Sequence, residues 1–210
     1  MPSGEAVGIY PASKASVEGE APSGYAGGGG DASLYNKMPK EKMESAGYVC
    51  SVVTGSPEET RRLGEIIGGL MTGGELVAID GELGSGKTVF VKGLAYGLGI
   101  KEKDVSSPTF VFVHEYKGRL TLYHADLYRI NRASDVEDLG LFDFIGGEGI
   151  MAVEWADRAG SLLPDNRIDI ELIYMGNDNR KIALKGSSGI HEKILRDGIA
   201  IFLSGCRDNG

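Results

Sequence analysis

Residues 81–88, with the sequence GELGSGKT, have the residue types and spacing of a loop that binds phosphate. They fit the pattern G-x-x-x-x-G-K-[ST], in which glycines let the backbone turn tightly and aim several N–H groups at one anion. In such a loop the Lys87 ammonium reaches the β- and γ-phosphates and the Thr88 hydroxyl binds Mg²⁺. The spacing therefore predicts a site for a nucleotide and its metal ion.

The segments on either side of this loop agree with that prediction. Residues 76–79 are a short apolar run that indicates a buried parallel strand, and residues 89–95 indicate a packed helix. A helix that begins at the loop adds its unpaired N-terminal N–H groups and the positive end of its dipole. The alternative is a glycine turn that joins a strand to a helix and binds nothing.

Two carboxylates follow other apolar segments in the same way. Residues 120–123 run into His124 and Asp126, and residues 150–153 end at Glu154. In an open α/β sheet, ligands bind beyond the carboxyl ends of the strands, so parallel neighbours would bring both acids to the phosphate loop. An acid at the position of Glu154 holds Mg²⁺ or orients the attacking water. The alternative for Glu154 is a surface acid at the end of a strand.

His124 and Asp126 are two residues apart, which places them on one face of a strand. We expect Asp126 to face the metal of the nucleotide and His124 to pack or form a hydrogen bond beneath it. The alternative is that both residues are structural, with their hydrogen bonds satisfied inside the fold. The other histidines are His114 and His191, too few for a typical zinc site.

Composition divides the chain into three segments. Residues 1–47 are rich in Gly, Ala, Ser, Pro and Glu without a hydrophobic period, so we expect a disordered low-complexity tail. Residues 48–185 mix strand and helix patterns and form the predicted domain. This mixture indicates an α/β fold class. Residues 186–210 are a C-terminal extension with a weak helix at 191–196.

The elements predicted inside the domain follow from hydrophobic periods and from turn and cap residues. A helix begins at Ser56, with Pro57 at its first position and Glu59 completing a capping box. The remaining predictions are a strand at 49–53, hairpins formed by 110–116 with 120–123 and by 167–174 with 180–184, and a helix at 134–144 capped by Ser134.

Charge and composition exclude several classes of protein. The formal net charge is −8, which argues against direct binding to nucleic acid because phosphate neutralisation needs clustered Lys and Arg. Cys50 and Cys206 are far apart in the sequence and form no C-x-x-C motif, so we expect two buried or functionally unimportant thiols in a reducing compartment. No apolar run approaches the roughly 20 residues of a membrane span, and the start lacks the pattern of a signal peptide. We therefore expect a cytoplasmic protein without a membrane association.

Four motifs, in this order and with these gaps, make the chain similar to the TsaE (YjeE) family. They are the phosphate loop, SPTF at residues 107–110, HADLYR at 124–129 and VEW at 153–155. The resemblance implies a P-loop NTPase-like fold with a mixed, largely parallel sheet flanked by helices. It implies a protein that binds and slowly hydrolyses ATP with Mg²⁺ in bacterial synthesis of threonylcarbamoyladenosine in tRNA. It also implies TsaB and TsaD as partners, whose assembly the ATP cycle resets. The tRNA would be reached only through that complex.

The resemblance also implies roles for individual residues. Lys87, Asp126 and Glu154 would be catalytic, and Thr88 with the two acids would hold Mg²⁺. The expected contacts to ATP are Gly81, Gly84, Ser85, Gly86, Lys87, Thr88, Val89 and Thr109.

The roles of some motif residues are less well defined by the resemblance. Thr109 belongs to a loop resembling a nucleotide switch, although an ordinary proline turn is the alternative. Val89 stands where many such loops carry a second hydroxyl, which removes one side-chain contact to the α-phosphate. Trp155 would lie near the nucleotide or a partner, or pack in the core. Tyr128 and Arg129 belong to the motif without a derived role.

Other functions use the same loop. One alternative is a nucleotide-gated binding module in which hydrolysis is dispensable. Another is a small-molecule kinase, for which Arg129, Arg132 and Arg158 are candidate lid arginines. A GTPase is not supported, because no N-K-x-D guanine motif follows the loop. For the adenine we expect contacts near Ser56 and Glu58.

Overall fold

The structure is a computed structural model that describes residues 48–101, 105, 106, 108, 113–130, 132–137 and 139–205. Along the chain the elements are β1 (Tyr48–Thr54), α1 (Pro57–Leu70), β2 (Leu76–Gly81), α2 (Lys87–Gly97), β3 (Val113–Tyr116), β4 (Leu122–Asp126), α3 (Ala133–Glu137), a 3₁₀ helix (Leu141–Phe144), β5 (Ile150–Glu154), a second 3₁₀ segment (Ala156–Leu162), β6 (Ile168–Gly176), β7 (Asn179–Gly186) and α4 (Gly189–Ser204).

The described strands form one mixed sheet in the order β1-β7-β6-β2-β5-β4-β3. The four strands β6, β2, β5 and β4 run parallel, whereas β7, β1 and β3 each run antiparallel to the neighbour they pair with. The predicted α/β fold with a mixed sheet is confirmed. Strands β2, β5 and β4 are parallel neighbours, which is the arrangement that the convergence of the two acids required.

Each face of the sheet carries its own apolar cluster. One face packs against α1, α2 and α4, and its buried residues include Leu63, Phe90 and Phe202. The other face packs against the 3₁₀ segments and α3, and it includes Leu141 and Ala159. The two helical layers enclose the parallel strands, so the carboxyl ends of these strands are held in fixed relative positions.

Glycines bring α1 and α2 into close contact. A Cβ atom at Gly64 would lie 2.3 Å from the carbonyl oxygen of Phe90, and one at Gly93 would lie 2.0 Å from that of Arg61. A larger residue at either position would push the helices apart. Because α2 begins at the phosphate loop, this contact also fixes the loop.

The start of α1 follows the sequence prediction. The hydroxyl of Ser56 accepts a hydrogen bond from the Glu59 N–H at 3.1 Å, and the Glu59 carboxylate accepts one from the Gly55 N–H at 2.6 Å. The Ser56 bond confirms that half of the predicted capping box, whereas the Glu59 carboxylate reaches the N–H of Gly55, one residue before the cap, instead of that of Ser56. The strand near 49–53, the hairpin of β6 and β7, and the pairing of β3 with β4 are also confirmed.

Two element predictions were wrong in extent. The predicted helix at 134–144 is split into α3 and a 3₁₀ helix, with Gly140 in a left-handed conformation at φ 63° between them. Helix α3 begins at Ala133, so Ser134 lies inside it. The weak helix predicted at 191–196 is α4, with 16 residues and an apolar side that lies in the same core as the sheet.

None of the described helices combines the length and the apolar content that crossing a bilayer requires. The predicted tail at 1–47 lies outside the described residues.

Candidate functional site

The phosphate loop leaves the carboxyl end of β2 and turns directly into α2. Gly81 has φ 139°, and a Cβ atom there would lie 2.3 Å from the Leu172 carbonyl oxygen and 2.8 Å from the Ser85 hydroxyl. Gly86 has φ 109° and is the N-cap of α2. Both positions need glycine for conformation and for space. Gly84, at φ 81°, lies between them at the tip of the loop.

Lys87 lies inside the loop with its ammonium group turned back onto the main chain. Its Nζ donates hydrogen bonds to the carbonyl oxygens of Gly81 at 2.6 Å and Glu82 at 2.9 Å. The same atom lies 3.7 Å from the centre of the Trp155 ring, within cation–π range. Burial lowers the pKa of Lys87, and the nearby carboxylates, Glu154 and Asp126 first, oppose that shift. Lys87 is thus a buried cation that is bonded to the main chain of its own loop.

The phosphate loop and strand β5 are joined by a side-chain hydrogen bond. The Thr88 hydroxyl donates to Oε2 of Glu154 at 2.9 Å. The other carboxylate oxygen, Oε1, lies 2.8 Å from Nε2 of His124. Both Glu154 and His124 are buried, with 2% and no exposure respectively. The two hydrogen bonds fix the orientation of the Glu154 carboxylate, which confirms that His124 forms a hydrogen bond beneath the site.

Asp126 lies beside Glu154 on the next strand. The two residues are paired in register between β4 and β5, so their side chains leave the same face of the sheet. Asp126 is half-buried, and its Oδ1 accepts a hydrogen bond from the Tyr128 N–H at 2.9 Å. The structure therefore brings Thr88, Asp126 and Glu154 to one edge of the sheet.

This set of groups fits a hard divalent cation. Hydroxyl and carboxylate oxygens from Thr88, Glu154 and Asp126 are the ligand types that Mg²⁺ takes in nucleotide sites. The loop also fits a phosphate, because Gly81, Gly84 and Gly86 all have positive φ, the type of tight backbone turn that forms anion-binding concavities of main-chain N–H groups. The hydroxyl of Ser85 is buried and has no hydrogen-bond partner among the described residues. A bound phosphate is one group that could supply that partner.

Trp155 follows Glu154 in a conformation that is unusual for a residue with a side chain. Its φ of 57° lies in the left-handed region, at the N-cap of the second 3₁₀ segment. The ring contacts Tyr128, with centroids 5.2 Å apart, and the Arg158 guanidinium lies 5.3 Å from its centre. Arg158 also donates to the Ile130 carbonyl at 2.6 Å. Trp155 is thus packed against the apolar cluster on the sheet face that carries the 3₁₀ segments, and its ring also covers the Lys87 ammonium group.

Asp80 is a site residue whose role the sequence prediction missed. It precedes the loop on the opposite face of β2 from Gly81, and its carboxylate accepts a hydrogen bond from the Asp157 N–H at 2.9 Å. Burial raises the pKa of Asp80, with the charges of Asp157 and Asp169 adding to that shift. Asp80 lines a groove of about 750 Å³ that continues past Trp155. The strand pattern alone does not reveal this contact, because Asp157 belongs to a distant segment.

Arg180 is the second residue that the sequence prediction missed. It lies at the start of β7, is 6% exposed, and its Nε donates to the Ser85 carbonyl at 3.1 Å. Nothing in the local sequence of the hairpin distinguishes it from other strand arginines. Its place under the loop follows only from the register of β6 and β7.

The remaining predicted residues are not tested by the structure. Val89 lies in the first turn of α2, next to Thr88. Thr109 lies outside the described residues. Near the predicted adenine position, the Ser56 hydroxyl is used as the cap of α1 and Glu58 is exposed. The contacts to adenine, like the assigned roles of the site residues, stay predictions.

Comparison with known proteins identifies the family. The family profile described as "Threonylcarbamoyl adenosine biosynthesis protein TsaE" matches residues 54–182. The chain belongs to the TsaE family. This result confirms the resemblance inferred from the motifs, and the matched range contains the loop and both acids.

Individual relatives agree with the profile. The protein named tRNA threonylcarbamoyladenosine biosynthesis protein TsaE in Treponema pallidum (strain Nichols) is 42% identical over 132 residues, which are 63% of this chain and 97% of that protein. Its namesake in Bacillus subtilis (strain 168) is 39% identical over 145 residues, 69% of this chain and 90% of that protein. A crystal structure of Bacillus subtilis YdiB superposes with a TM-score of 0.62 at 30% identity, covering 73% of this chain and 96% of that one.

Proposed function

We propose that this TsaE-family protein is a Mg²⁺-dependent, slowly hydrolysing ATPase of the machinery that makes threonylcarbamoyladenosine in tRNA. The proposal rests on family membership and on one observation above all. The Thr88 hydroxyl of the phosphate loop lies 2.9 Å from the Glu154 carboxylate of β5. Both side chains are expected metal ligands and Glu154 is also the acid that would act on water, so their contact supports a site for metal and hydrolysis at the mouth of the loop.

Phosphate binding would use the main chain of the loop and Lys87. The N–H groups at the start of α2 point toward the loop, where the dipole of the helix favours negative charge. Lys87 now donates to two carbonyl oxygens of its own loop. A triphosphate offers stronger, charged acceptors, so we expect Lys87 to exchange these carbonyls for phosphate oxygens.

Hydrolysis would use the two acids. Glu154 is held by Thr88 and His124, which suits it to accept a hydrogen bond from the attacking water and to orient it. Asp126, its neighbour in register, would complete the oxygen ligands. When bound, Mg²⁺ supplies charge neutralisation at the phosphate oxygens.

Slow hydrolysis by the isolated protein is expected from the arginines beside the loop. Arg158 donates to the Ile130 carbonyl, and Arg180 donates to those of Ser85 and Asp178. Each guanidinium is thus engaged by the main chain in this state. An arginine that stabilises the transferring phosphoryl group raises the rate by several orders of magnitude, so a partner that rearranges the site would accelerate hydrolysis.

The proposed partners are TsaB and TsaD, with tRNA reached only through their complex. The formal net charge of −8 supports the indirect route to tRNA, because an acidic chain does not attract phosphate backbones. In this proposal the ATP cycle resets the TsaB–TsaD assembly between rounds of modification.

Calorimetry with ATP and Mg²⁺ tests the nucleotide site. Lys87→Ala should abolish measurable binding, whereas Lys92→Ala, on the same helix, should bind as the unchanged protein does. Phosphate release is then measured for the protein alone and with TsaB and TsaD. Equal turnover in both mixtures would contradict the proposed stimulation, and labelled phosphate transferred to a small acceptor would indicate a kinase.

A nucleotide-gated binding module is the second candidate. The observation in its favour is the inward position of Lys87, since exchanging its carbonyl partners for phosphate would itself rearrange the loop. The two functions differ in whether hydrolysis is needed. A Glu154→Gln variant that binds ATP and still supports repeated rounds of tRNA modification would establish the gated module and exclude the ATPase cycle.

A further inference from the structure

Arg180 connects the β6–β7 hairpin to the underside of the phosphate loop. Its guanidinium makes two main-chain contacts in different directions. Nε donates to the Ser85 carbonyl at 3.1 Å, and Nη1 donates to the Asp178 carbonyl at 2.6 Å. The guanidinium also lies 5.7 Å from the centre of the Tyr174 ring. Two hydrogen bonds therefore hold the guanidinium in place, and only 6% of the residue is exposed.

The contact with Ser85 determines the orientation of one peptide group. In a trans peptide the carbonyl and the N–H of the same plane point in opposite directions. Because the Ser85 carbonyl accepts from Arg180, the N–H of Gly86 in the same peptide points away from Arg180. A Cβ atom at Gly86 would lie 3.0 Å from Arg180 Nε, so the guanidinium is packed directly against this peptide.

We propose that Arg180 is a positioning residue of the phosphate site. It holds the Ser85–Gly86 peptide so that the Gly86 N–H is directed at the phosphate before nucleotide binds, and it places a buried positive charge beneath the loop. The inference rests on the proposed nucleotide site and adds a residue to it from outside the loop. Without Arg180 the peptide can rotate, and ordering it would oppose binding.

A lysine would not replace this arginine fully. The guanidinium reaches the carbonyls of Ser85 and Asp178 at once because its donors are held in a rigid plane. An ammonium group keeps the charge but lacks the planar fork. Arg180→Lys therefore separates the contribution of charge from that of peptide orientation.

The test compares Arg180→Met and Arg180→Lys with a matched control, Arg119→Met. Arg119 also donates to two main-chain carbonyls, those of Gly68 at 2.6 Å and Gly69 at 3.0 Å, at the end of α1. Its main-chain N–H bonds to Leu98, beyond the end of α2 that is remote from the loop. Loss of Arg119 thus removes comparable bonds without touching the phosphate site.

Two measurements are needed. Calorimetry with inorganic tripolyphosphate and with ATP–Mg²⁺ should show about a ten-fold loss of affinity for Arg180→Met, an intermediate loss for Arg180→Lys, and no change for Arg119→Met. Nuclear magnetic resonance of the protein without nucleotide should show a shifted or broadened Gly86 amide signal in Arg180→Met, with that signal unchanged in Arg119→Met. A purely structural arginine would lower thermal stability without this pattern.

The outcomes separate this inference from the proposed function. An Arg180→Met protein that binds both ligands as the unchanged protein does, with the same Gly86 signal, would overturn the positioning role. If that variant does not fold, the Arg180→Lys protein decides the matter by the same two readouts. A chain that binds no ATP at all, yet shows the Gly86 shift, would overturn the nucleotide site and leave the orientation of the peptide established.

Discussion

His124 and Glu154 form a fully buried pair, with Nε2 of the imidazole 2.8 Å from Oε1 of the carboxylate. The histidine lies on β4 and the acid on the adjacent parallel strand β5. A carboxylate held at one oxygen by a buried imidazole, and at the other by Thr88, has its direction set by two separate elements. The acid at the end of β5 is therefore oriented before any ligand arrives.

His124→Leu should reduce ATP hydrolysis about ten- to one-hundred-fold, because partners that orient a ligating carboxylate contribute effects of that size and leucine cannot donate a hydrogen bond to Glu154. Binding of ATP without Mg²⁺ should change little, since within the described residues the His124 ring bonds to Glu154 and not to the loop. His114→Leu is the control, because this histidine bonds instead to the Tyr116 hydroxyl at 2.9 Å. Steady-state phosphate release measures the effect. Equal rates in His124→Leu and the unchanged protein would show that Glu154 does not need His124 for its orientation.

Thr88→Ala should lower the affinity for ATP–Mg²⁺ about ten-fold, while the affinity for ATP in the presence of a chelator stays the same. The alanine removes the expected metal ligand and also one hydrogen-bond partner of Glu154. Thr88→Ser keeps the hydroxyl and should bind as the unchanged protein does. Calorimetry with and without Mg²⁺ distinguishes these cases. An equal loss of affinity with and without Mg²⁺ would mean that Thr88 supports the structure of the loop and does not bind the metal.

Nucleotide binding should take up a proton at alkaline pH. Burial lowers the pKa of Lys87 from its ordinary value of 10.5, and a bound anionic phosphate raises it again. Between the two pKa values the free protein lacks a proton that the complex holds, so affinity falls as pH rises through this window. Calorimetry in buffers of different ionisation enthalpy measures the uptake. Its absence in the unchanged protein would mean that Lys87 is fully charged before binding.

Folding stability should fall as pH drops below about 6.5. Burial lowers the pKa of His191 in the folded chain, with Glu75 opposing the shift. The unfolded chain, with a pKa near 6.5, therefore binds more protons than the folded chain between the two pKa values, and unfolding is favoured there. Urea unfolding at pH 7.5 and 5.5 measures this, with His191→Gln as the control. The same pH dependence in His191→Gln would assign it to other groups.

Phe202→Ala should lower the free energy of unfolding by about 3–5 kcal/mol, the range found when a buried phenylalanine is truncated. Phe202 is 1% exposed and lies in the core cluster that α4 shares with the sheet. Ile201→Ala, at a position that is 47% exposed on the same helix, should change stability far less. Urea denaturation of both variants checks the difference. Similar small effects would mean that α4 adds little to the core.

Features that depend on local pattern were predictable from the sequence. The N-cap of α1 at Ser56, the loop around Gly84 and the acid at Glu154 each follow from residues close to one another in the chain. The break between α3 and the 3₁₀ helix was not predictable, because the apolar period continues across Gly140, whose left-handed conformation separates the two elements.

Contacts between residues that are distant in the sequence could be identified only from the structure. The weak apolar period after residue 190 concealed α4, which is stabilised by packing rather than by its own propensity. Arg180 contacts the loop because of the register between β6 and β7. Asp80 bonds to Asp157, which lies in a segment far from it in the sequence. Neither contact has a signature in neighbouring residues, since both depend on how separate strands align.

The pairing of the first described strand with the last has a consequence for synthesis of the protein. Tyr48 of β1 pairs with Gly186 of β7, and β1 has no other strand neighbour within the described sheet. A growing chain on the ribosome therefore exposes the edge of β1 until almost the whole domain has emerged, because its partner is made near the end. Such distant pairings slow folding and leave unpaired edges open to aggregation.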